Sequence, residues 1–432
     1  MKTVSKLALT YKKQFSHSLP SFLTKRLVVP FNQLSDKKYK CLVEEGEEVM
    51  EGQLIAFPIK GDGDEDAAIN APVPGIVGPV VKCRLPNGRM GQGVEIQLSG
   101  SFSYLGRKVE RRDWKTVGHD DLLKLLLAKG VVNTFGGSAS LVSQINDCRK
   151  RGGSFLVVRL FDEDPSRSTD SFIGKHKSME VAEGAAIIAA LMGAKGIVFL
   201  LPKGTDTVVE NEPVKDFTVL TVEVDDSNYP SGFQENIIRI VRKYVKNTQV
   251  EYFGSIHVDS LFIDSGTAFA VYEAIVLGKP MIESFVEVSG SCLRSSAIFQ
   301  VKHGTTFADL ANQCGGFKEK PARVVVNGML GGTMLADFDV PVTKFVKSLT
   351  FIPKSELHNQ DFIACIRCGK CRNACPEHLF PDLLASPMLF DISDEVFFRE
   401  SMVLCSGCKL CNAVCPSRIP LAQIISLLKK EA

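Results

Sequence analysis

The chain has 432 residues, of which 45% are hydrophobic and 23% are charged, and its formal net charge is +2. That length predicts about two to four domains rather than one compact core. A net charge so close to zero lacks the basic field of nucleic-acid binders, so nucleic acid is not expected as a partner. The longest uncharged apolar run, residues 184–194, falls short of the roughly 20 residues that span a bilayer. No direct membrane span is expected, and the basic N-terminus lacks the apolar core of a signal peptide.

The first 118 residues are predicted to form a β domain. Short strands alternate with turn residues between positions 26 and 100. The phrases VEEGEEVMEGQLIA (43–56) and APVPGIVGPVV (71–81) are similar to the half-repeats of a lipoyl-type barrel sandwich. A carrier domain of that type needs a lysine at the tip between its halves, and residues 72–75 offer none. We therefore expect a scaffold or docking module with an N-terminal extension.

Residues 119–250 alternate between helix and strand patterns and predict a Rossmann-like α/β domain. Ligands of such sheets lie at the carboxyl ends of the strands. The acidic loop after the strand at 154–161 includes Asp162 and Asp164, which would either bind a ligand or cap the next helix. Gly136 and Gly137 precede a helix starting near Leu141, where backbone N–H groups suit a phosphate, although a simple turn is the default.

Residues 251–345 predict a small α+β module, with helices at 267–277 and 307–313 and a strand at 283–290. The seven histidines of the chain form no H-x-x-H or H-E-x-x-H pattern, so they suggest no metal site.

The C-terminal region, residues 346–432, is rich in cysteine. Eight of the 13 cysteines lie between residues 365 and 415, and such clustering indicates metal more often than disulfides. They form two C-x2-C-x2-C-x3-C-P runs, with each cysteine of the second run 40 positions after its counterpart. In two-cluster ferredoxins, three cysteines of such a run bind one cubane, and the fourth binds the other.

We therefore predict two [4Fe–4S] clusters and a role in electron transfer. The ligands of the first are Cys365, Cys368, Cys371 and Cys415, and those of the second are Cys405, Cys408, Cys411 and Cys375. The alternative is a pair of zinc sites in a scaffold protein, because C-x-x-C pairs also bind zinc. Zinc has no use for the third C-x2 step or the trailing C-P, so the doubled run favours iron–sulfur. Short helices, one of them at 421–430, are expected around the clusters.

In this order, the parts resemble the RnfC proteins of the Rnf complex, which couples electron transfer between ferredoxin and a nicotinamide cofactor to ion transport. The resemblance rests on VEEGEEVMEGQLIA and the two cysteine runs. It also rests on GTAFAVYEAIVLGKPMIE (266–283), NQCGGFKEKPARVVVNGMLGG (312–332) and DVPVTK (339–344). It implies a multidomain α/β and α+β chain: a barrel-sandwich domain, a Rossmann-like domain, a β-grasp-like module and a helical two-cluster ferredoxin-type domain.

The same resemblance implies a peripheral subunit on the cytoplasmic face of the cell membrane, docked on other Rnf-type subunits and linked indirectly to ferredoxin or flavodoxin. It implies FMN and NAD(H) in the Rossmann-like domain, at Gly136, Gly137, Asp162 and Asp164. No catalytic residue is assigned.

Three stretches of the chain depart from the family pattern at that site. The family's G-G-A-G-F-P-T reads GGSASLV from Gly136, its N-G-A-E-C-E-P reads RLFDEDP from Arg159, and its Y-P-x-G-G reads YPSGF from Tyr229. A side chain in place of glycine narrows the space where backbone approaches a phosphate or a flavin.

Three functional alternatives remain open. The chain either accepts hydride from NADH through FMN or acts as a relay that has lost both cofactors. A cobalamin-reducing flavoprotein shares these parts, but there the nucleotide domain leads the chain.

Overall fold

The computed structural model of the protein describes residues 15–31, 33, 39–59, 67–136, 140–152, 154–357, 362–386, 388 and 400–431. Within these residues the strands form four sheets, with helices packed around them. No helix of the described part is long and apolar enough to cross a membrane.

The N-terminal unit, here called the barrel unit, consists of two small antiparallel sheets. One has the strand order Arg26–Pro30, Met90–Leu98, Gly75–Arg84 and Glu48–Val49, and the other has the order Tyr39–Cys41, Leu54–Pro58 and Ile69–Asn70. Alternate side chains of both sheets, such as Leu27, Ile55 and Ile96, enter one shared apolar core. The predicted barrel sandwich is confirmed.

The α/β unit is built on four parallel strands. Their spatial order is Val219–Val224, Gly196–Pro202, Phe155–Arg159 and Leu261–Asp264. The helices of this unit are His119–Ala128, Leu141–Lys150, Thr169–His176, Ser178–Met192, Gln234–Thr248 and Ser265–Ile275. Along the strand Phe155–Arg159, Leu156 and Val158 enter one apolar core while Phe155 and Val157 enter another, because successive strand residues face opposite sides of the sheet.

The strand pairing requires one correction to the predicted domain limits. Leu261–Asp264 pairs with Phe155–Arg159, so the α/β unit continues past residue 250, where we expected it to end. The helix Ser265–Ile275 also belongs to this unit, because Gly184 lies against its backbone. A Cβ at Gly184 would be 1.9 Å from the carbonyl oxygen of Ala268. Sequence patterns locate strands but not their partners, and this produced the error.

A mixed sheet forms the third unit. Its strand order is Ser18–Pro20, Ala297–Lys302, Glu283–Gly290, Ser348–Pro353, Pro321–Val326 and Thr333–Leu335. The helix Phe307–Gln313 packs its buried Phe307 and Leu310 against this sheet. Two of its strands, Ser18–Pro20 and Ser348–Pro353, lie outside the predicted limits of 251 and 345.

The C-terminal part, here called the cysteine unit, repeats one short pattern twice. Its described helices are Lys370–Ala374, Pro381–Leu384, Leu410–Ala413 and Leu421–Glu431. The third and fourth begin 40 positions after the first and second, the same spacing that separates the cysteine runs. Short 3-10 helices elsewhere are Trp114–Thr116, Glu212–Val214, Glu251–Ser255 and Lys354–Glu356.

Buried ion pairs join the units. Lys347 of the mixed-sheet unit contacts Asp170, 2.7 Å from its Oδ1, and also Asp264 of the α/β unit. Lys302 lies 2.7 Å from Glu51 of the barrel unit. Charges removed from water are stabilised only by partners held at close range, so these pairs fix how the units pack.

Candidate metal centre

The two cysteine loops have the same backbone conformation. Positive φ angles occur at three pairs of positions 40 apart: Arg367 and Gly407, Gly369 and Lys409, His378 and Arg418. An L-residue in the left-handed region costs roughly 1–2 kcal/mol relative to the right-handed helix, yet both loops keep it where glycine is absent. The turn shape is therefore a shared requirement of both loops rather than a local preference of their residues.

Four cysteines line one pocket, and they come from both runs: Cys365, Cys368, Cys371 and Cys415. Asp382 also lines this pocket, with its Oδ1 3.8 Å from the Cys371 sulfur and 2.8 Å from Nε of Arg372. Burial first, and then the charge of Asp382, raise the pKa of the Cys371 thiol to about 11. The fourth cysteine of the second run thus lies with the first three of the other run.

The remaining four cysteines form a second group. Burial first, and then the nearby Cys408, Cys405 and Cys375, raise the pKa of the Cys411 thiol to about 12. The pKa of Cys408 is raised to about 11, again by burial first and then by Cys375 and Cys405. Thiols with such a high pKa stay protonated in the absence of a metal. They ionise when a cation such as iron or zinc takes the place of the protons.

The spacing and surroundings of the cysteine sulfurs decide which kind of metal centre the two groups could hold. Among the described residues, no three or more His, Cys, Asp or Glu side chains are gathered closely enough to hold one metal ion. In a cubane each thiolate binds its own iron, so the sulfurs stand further apart. Backbone N–H groups also point at sulfur: Arg367 N lies 3.4 Å from Sγ of Cys365, and Leu379 N lies 3.4 Å from Sγ of Cys375. Such bonds tune the potential of iron–sulfur clusters.

The second loop is packed against the rest of the protein. The buried Tyr229 hydroxyl donates to the carbonyl oxygen of Cys408 at 2.7 Å. Lys409 donates to the carbonyl oxygens of Gly331 at 2.6 Å and Gly332 at 3.0 Å. The loop is therefore held by both the α/β unit and the mixed-sheet unit.

A cavity of about 410 Å³ lies between this loop and the α/β unit. Gly136, Phe135, Glu163 and Phe233 line it, and so does Ser406 of the second loop. Gly137, the other glycine that we assigned to a nucleotide, lies outside the described residues. Because Ser406 follows Cys405 directly, the cavity adjoins the second cysteine group.

The two aspartates assigned to the nucleotide have other partners. Asp162 accepts hydrogen bonds from the backbone N–H groups of Asp170 and Ser171, each at 3.0 Å, and so caps the helix Thr169–His176. Asp164 accepts from the N–H groups of Leu330 at 2.8 Å and Gly331 at 2.9 Å. Neither side chain lines the cavity. The contacts of Asp162 match the capping alternative that the sequence left open, whereas Asp164 binds a turn of the mixed-sheet unit instead of a helix end.

Arg159 occupies the junction of the three segments to which the resemblance assigns FMN and NADH. Its guanidinium is fully buried, lies 4.5 Å from the centre of the Phe135 ring, and donates to the carbonyl oxygen of Gly232 at 2.6 Å. It also contacts Glu163 at 3.4 Å. The sequence shows that arginine replaces asparagine here, but nothing in it predicted that this side chain would fill the junction.

The described lining of the cavity offers few cations for the phosphates of FMN or NADH. The one basic side chain among the described cavity-lining residues is Arg151, and it is paired with Asp259 at 2.5 Å. Anionic cofactors need free cations or open backbone N–H groups, and the described lining offers neither a free lysine nor a free arginine.

Known proteins resemble both the N-terminal unit and most of the chain. Residues 8–101 match the family described as the RnfC barrel sandwich hybrid domain. The C component of the proton-translocating ferredoxin:NAD(+) oxidoreductase complex of Clostridium ljungdahlii is 25% identical over 365 residues, covering 83% of this chain and 78% of that protein. This chain resembles RnfC.

Two further relatives extend the RnfC resemblance. The C component of the ion-translocating oxidoreductase complex of Rhodobacter capsulatus is 24% identical over 82% of this chain and 68% of its own length. The Haemophilus influenzae protein of the same name is 25% identical over 82% of this chain but only 43% of its own length. Among solved structures, an air-oxidized NAD+-reducing [NiFe]-hydrogenase has a TM-score of 0.45 and 13% identity, over 71% of this chain and 60% of that one.

Proposed function

We propose that this chain is an electron-transfer subunit of an Rnf-type ion-translocating oxidoreductase and holds two [4Fe–4S] clusters. One observation carries the proposal: two loops with positive φ angles at matched positions exchange their fourth cysteine, so each group of four draws on both runs. The first cluster would be held by Cys365, Cys368, Cys371 and Cys415, and the second by Cys405, Cys408, Cys411 and Cys375.

In this proposal the C-terminal unit is a helical ferredoxin-type domain. The barrel-sandwich, Rossmann-like and β-grasp-like parts form the scaffold that positions it. We keep the domain limits of the sequence analysis with two changes. The α/β unit is extended to include Leu261–Asp264 and Ser265–Ile275, and the mixed-sheet unit is extended to include the strands Ser18–Pro20 and Ser348–Pro353. Bound cubanes would supply one-electron transfer without proton chemistry.

The protein's own residues position the loops and exclude water. Cys408 and Leu410 are buried against Tyr229, whose hydroxyl fixes the loop backbone. Low solvent exposure and hydrogen bonds to sulfur are two of the factors that set the reduction potential of a cluster. The second group is therefore sheltered by the scaffold, next to the cavity on the α/β unit.

The names of the relatives give the setting. The Clostridium protein is named for a ferredoxin:NAD(+) oxidoreductase complex. By extension we propose that this chain docks on other Rnf-type subunits at the cytoplasmic face of the membrane and is linked indirectly to ferredoxin or flavodoxin. Because Arg159 fills the junction and Asp162 and Asp164 have internal partners, we propose that electrons reach the clusters from a partner carrier.

A second candidate is oxidation of NADH by this chain itself through FMN. The cavity of about 410 Å³ beside Ser406 favours it, because its size suits a small cofactor and its position adjoins the second cysteine group. The acids and the paired Arg151 in its lining disfavour it.

The visible absorbance of anoxically purified protein tests these alternatives. Dithionite is expected to bleach the cluster absorbance, NADH is expected to leave it unchanged, and denaturation is expected to release no flavin. Bleaching by NADH with release of FMN would replace the relay by the second candidate. Failure of dithionite to bleach any absorbance would contradict both.

A further inference from the structure

The two cysteine loops share one backbone but differ in what surrounds them. At each of four matched positions, the first loop has a different side chain from the second: Ile366 and Ser406, Arg367 and Gly407, Gly369 and Lys409, Lys370 and Leu410. Cys408 of the second loop is buried, whereas its counterpart Cys368 is exposed. Leu410 is only 4% exposed, whereas Lys370 is on the surface.

In the second loop, the carbonyl group of Cys408 and the ammonium group of Lys409 both form hydrogen bonds with other units of the protein. Their partners are Tyr229 and the carbonyl groups of Gly331 and Gly332. None of the hydrogen bonds among the described residues ties Arg367 or Lys370 side chains to another unit in this way. The second group thus faces the scaffold, and the first group faces outward.

The surface around Cys368, here called the exit face, combines exposed apolar and basic side chains. Phe362 is 59% exposed, Ile363 61% and Ile366 62%. Apolar side chains exposed together beside a thiol ligand are typical of an interaction site. This face consists of Phe362, Ile363, Ile366, Arg367, Cys368 and Lys370.

The described side chains of the exit face carry a positive charge. Residues 362–386 contain two acids, Glu377 and Asp382, and both are in ion pairs, with Arg239 and Arg372 respectively. No ion pair of the described residues includes Arg367 or Lys370. A partner with exposed carboxylates would therefore meet two cations that have no carboxylate partner among the described residues.

We propose that the exit face docks an acidic electron-carrier protein, which exchanges electrons with the first cysteine group. The inference rests on the function proposed above and adds to it the partner chemistry and the side of the chain that the partner meets. Electron transfer falls off steeply with distance, so a carrier must dock where a ligand thiol reaches the surface, and Cys368 does so. Transient redox complexes of this kind are small and are steered by charge.

The matched loops supply the variants that test the proposal. Arg367→Gly and Ile366→Ser insert the residues that the second loop carries at the same positions, and Gly at 367 suits the positive φ there. Lys370→Glu reverses a charge at the first residue of a short helix, where an acid is tolerated. Lys124→Glu, on the helix His119–Ala128 of the α/β unit, is the control for a change of surface charge elsewhere.

The probe is a small acidic two-cluster ferredoxin, used in place of the unidentified acidic carrier. It is chemically reduced, and the rate of its reaction with the oxidised protein is followed by stopped-flow absorbance at several salt concentrations. We expect the Arg367→Gly/Lys370→Glu protein to react about tenfold more slowly at low salt, with a flatter salt dependence. Calorimetric titration with the oxidised ferredoxin should show weaker binding to the same extent, and Lys124→Glu should match the wild type in both assays.

The iron content and the dithionite bleaching of every variant separate this proposal from the function on which it rests. If the double variant keeps its clusters but reacts and binds like the wild type, the exit face is not the docking site, and the cluster assignment stands. If the wild type itself lacks bleachable clusters, the proposed function fails and the docking proposal fails with it.

Discussion

The substitution Lys347→Met should destabilise the α/β unit strongly. The Lys347 ammonium lies 2.7 Å from Oδ1 and 2.9 Å from Oδ2 of Asp170, and it also contacts Asp264. Both aspartates are fully buried, so methionine would leave two carboxylates without their nearest cation. Breaking a buried pair by removing one partner costs about 3–5 kcal/mol of unfolding free energy. Because Arg167 remains 3.5 Å from Asp170, we expect a loss of about 3 kcal/mol, at the lower end.

The size of this loss should depend on pH. Burial raises the pKa of Asp170 to about 6, while the charge of Lys347 lowers it. Without Lys347 the pKa rises further above its unfolded value, so the folded state binds a proton that the unfolded state releases. Stability then falls as pH rises through this range, by up to about 1.4 kcal/mol per unit. The defect of Lys347→Met should therefore be smaller at pH 5 than at pH 8.

Urea unfolding followed by tryptophan fluorescence measures this loss. Trp114 is the one tryptophan of the chain, and it packs against the core of the α/β unit. The control is Lys124→Met, because Lys124 and its partner Asp121 are exposed and the pair should contribute less than about 0.5 kcal/mol. If Lys347→Met changes the unfolding free energy no more than this control does, the buried network does not hold the units together.

Three further predictions concern the cysteine unit and a buried lysine. Cys371→Ser and Cys411→Ser, matched positions in the two runs, should each lower iron content by about half, which elemental analysis checks; loss of all iron from only one of them would contradict two equivalent sites. Tyr229→Phe removes the hydroxyl that binds the Cys408 carbonyl and should cost about 1–2 kcal/mol, seen as earlier loss of cluster absorbance in urea. Burial lowers the pKa of Lys344 to about 7, so above this pH the unfolded chain binds more protons than the folded chain. The unfolding free energy of the wild type should therefore rise with pH relative to that of Lys344→Met, by up to about 1.4 kcal/mol per pH unit. Parallel pH profiles of the two proteins would refute this.

Much of the local structure could be predicted because it depends on local patterns. The strand Gly196–Pro202 follows from a short apolar run. The helix Ser178–Met192 follows from a long helical pattern that ends at Gly193. The two cysteine runs carry their spacing in the sequence itself. Cys415 lines one pocket with Cys365, Cys368 and Cys371, while the cluster ligands assigned from that spacing stay a prediction.

Long-range pairing could not be predicted in the same way. The strand Ser18–Pro20 joins a sheet whose other members begin more than 260 residues later, and nothing in its three residues specifies that partner. For the same reason the contact between Tyr229 and Cys408, and the place of Arg159 under the Phe135 ring, were missed. The one signal in the sequence that this position had a special role is that Arg159 interrupts an otherwise apolar strand pattern, FLVVRLF at 155–161.

Iron, acid-labile sulfide and zinc, measured on anoxically purified full-length protein, test the central claim most directly. Two cubanes predict about eight irons and about eight sulfides per chain, with zinc near zero. About two zinc ions per chain without sulfide would show that the crossed cysteine groups hold single ions, and the electron-transfer account would be wrong.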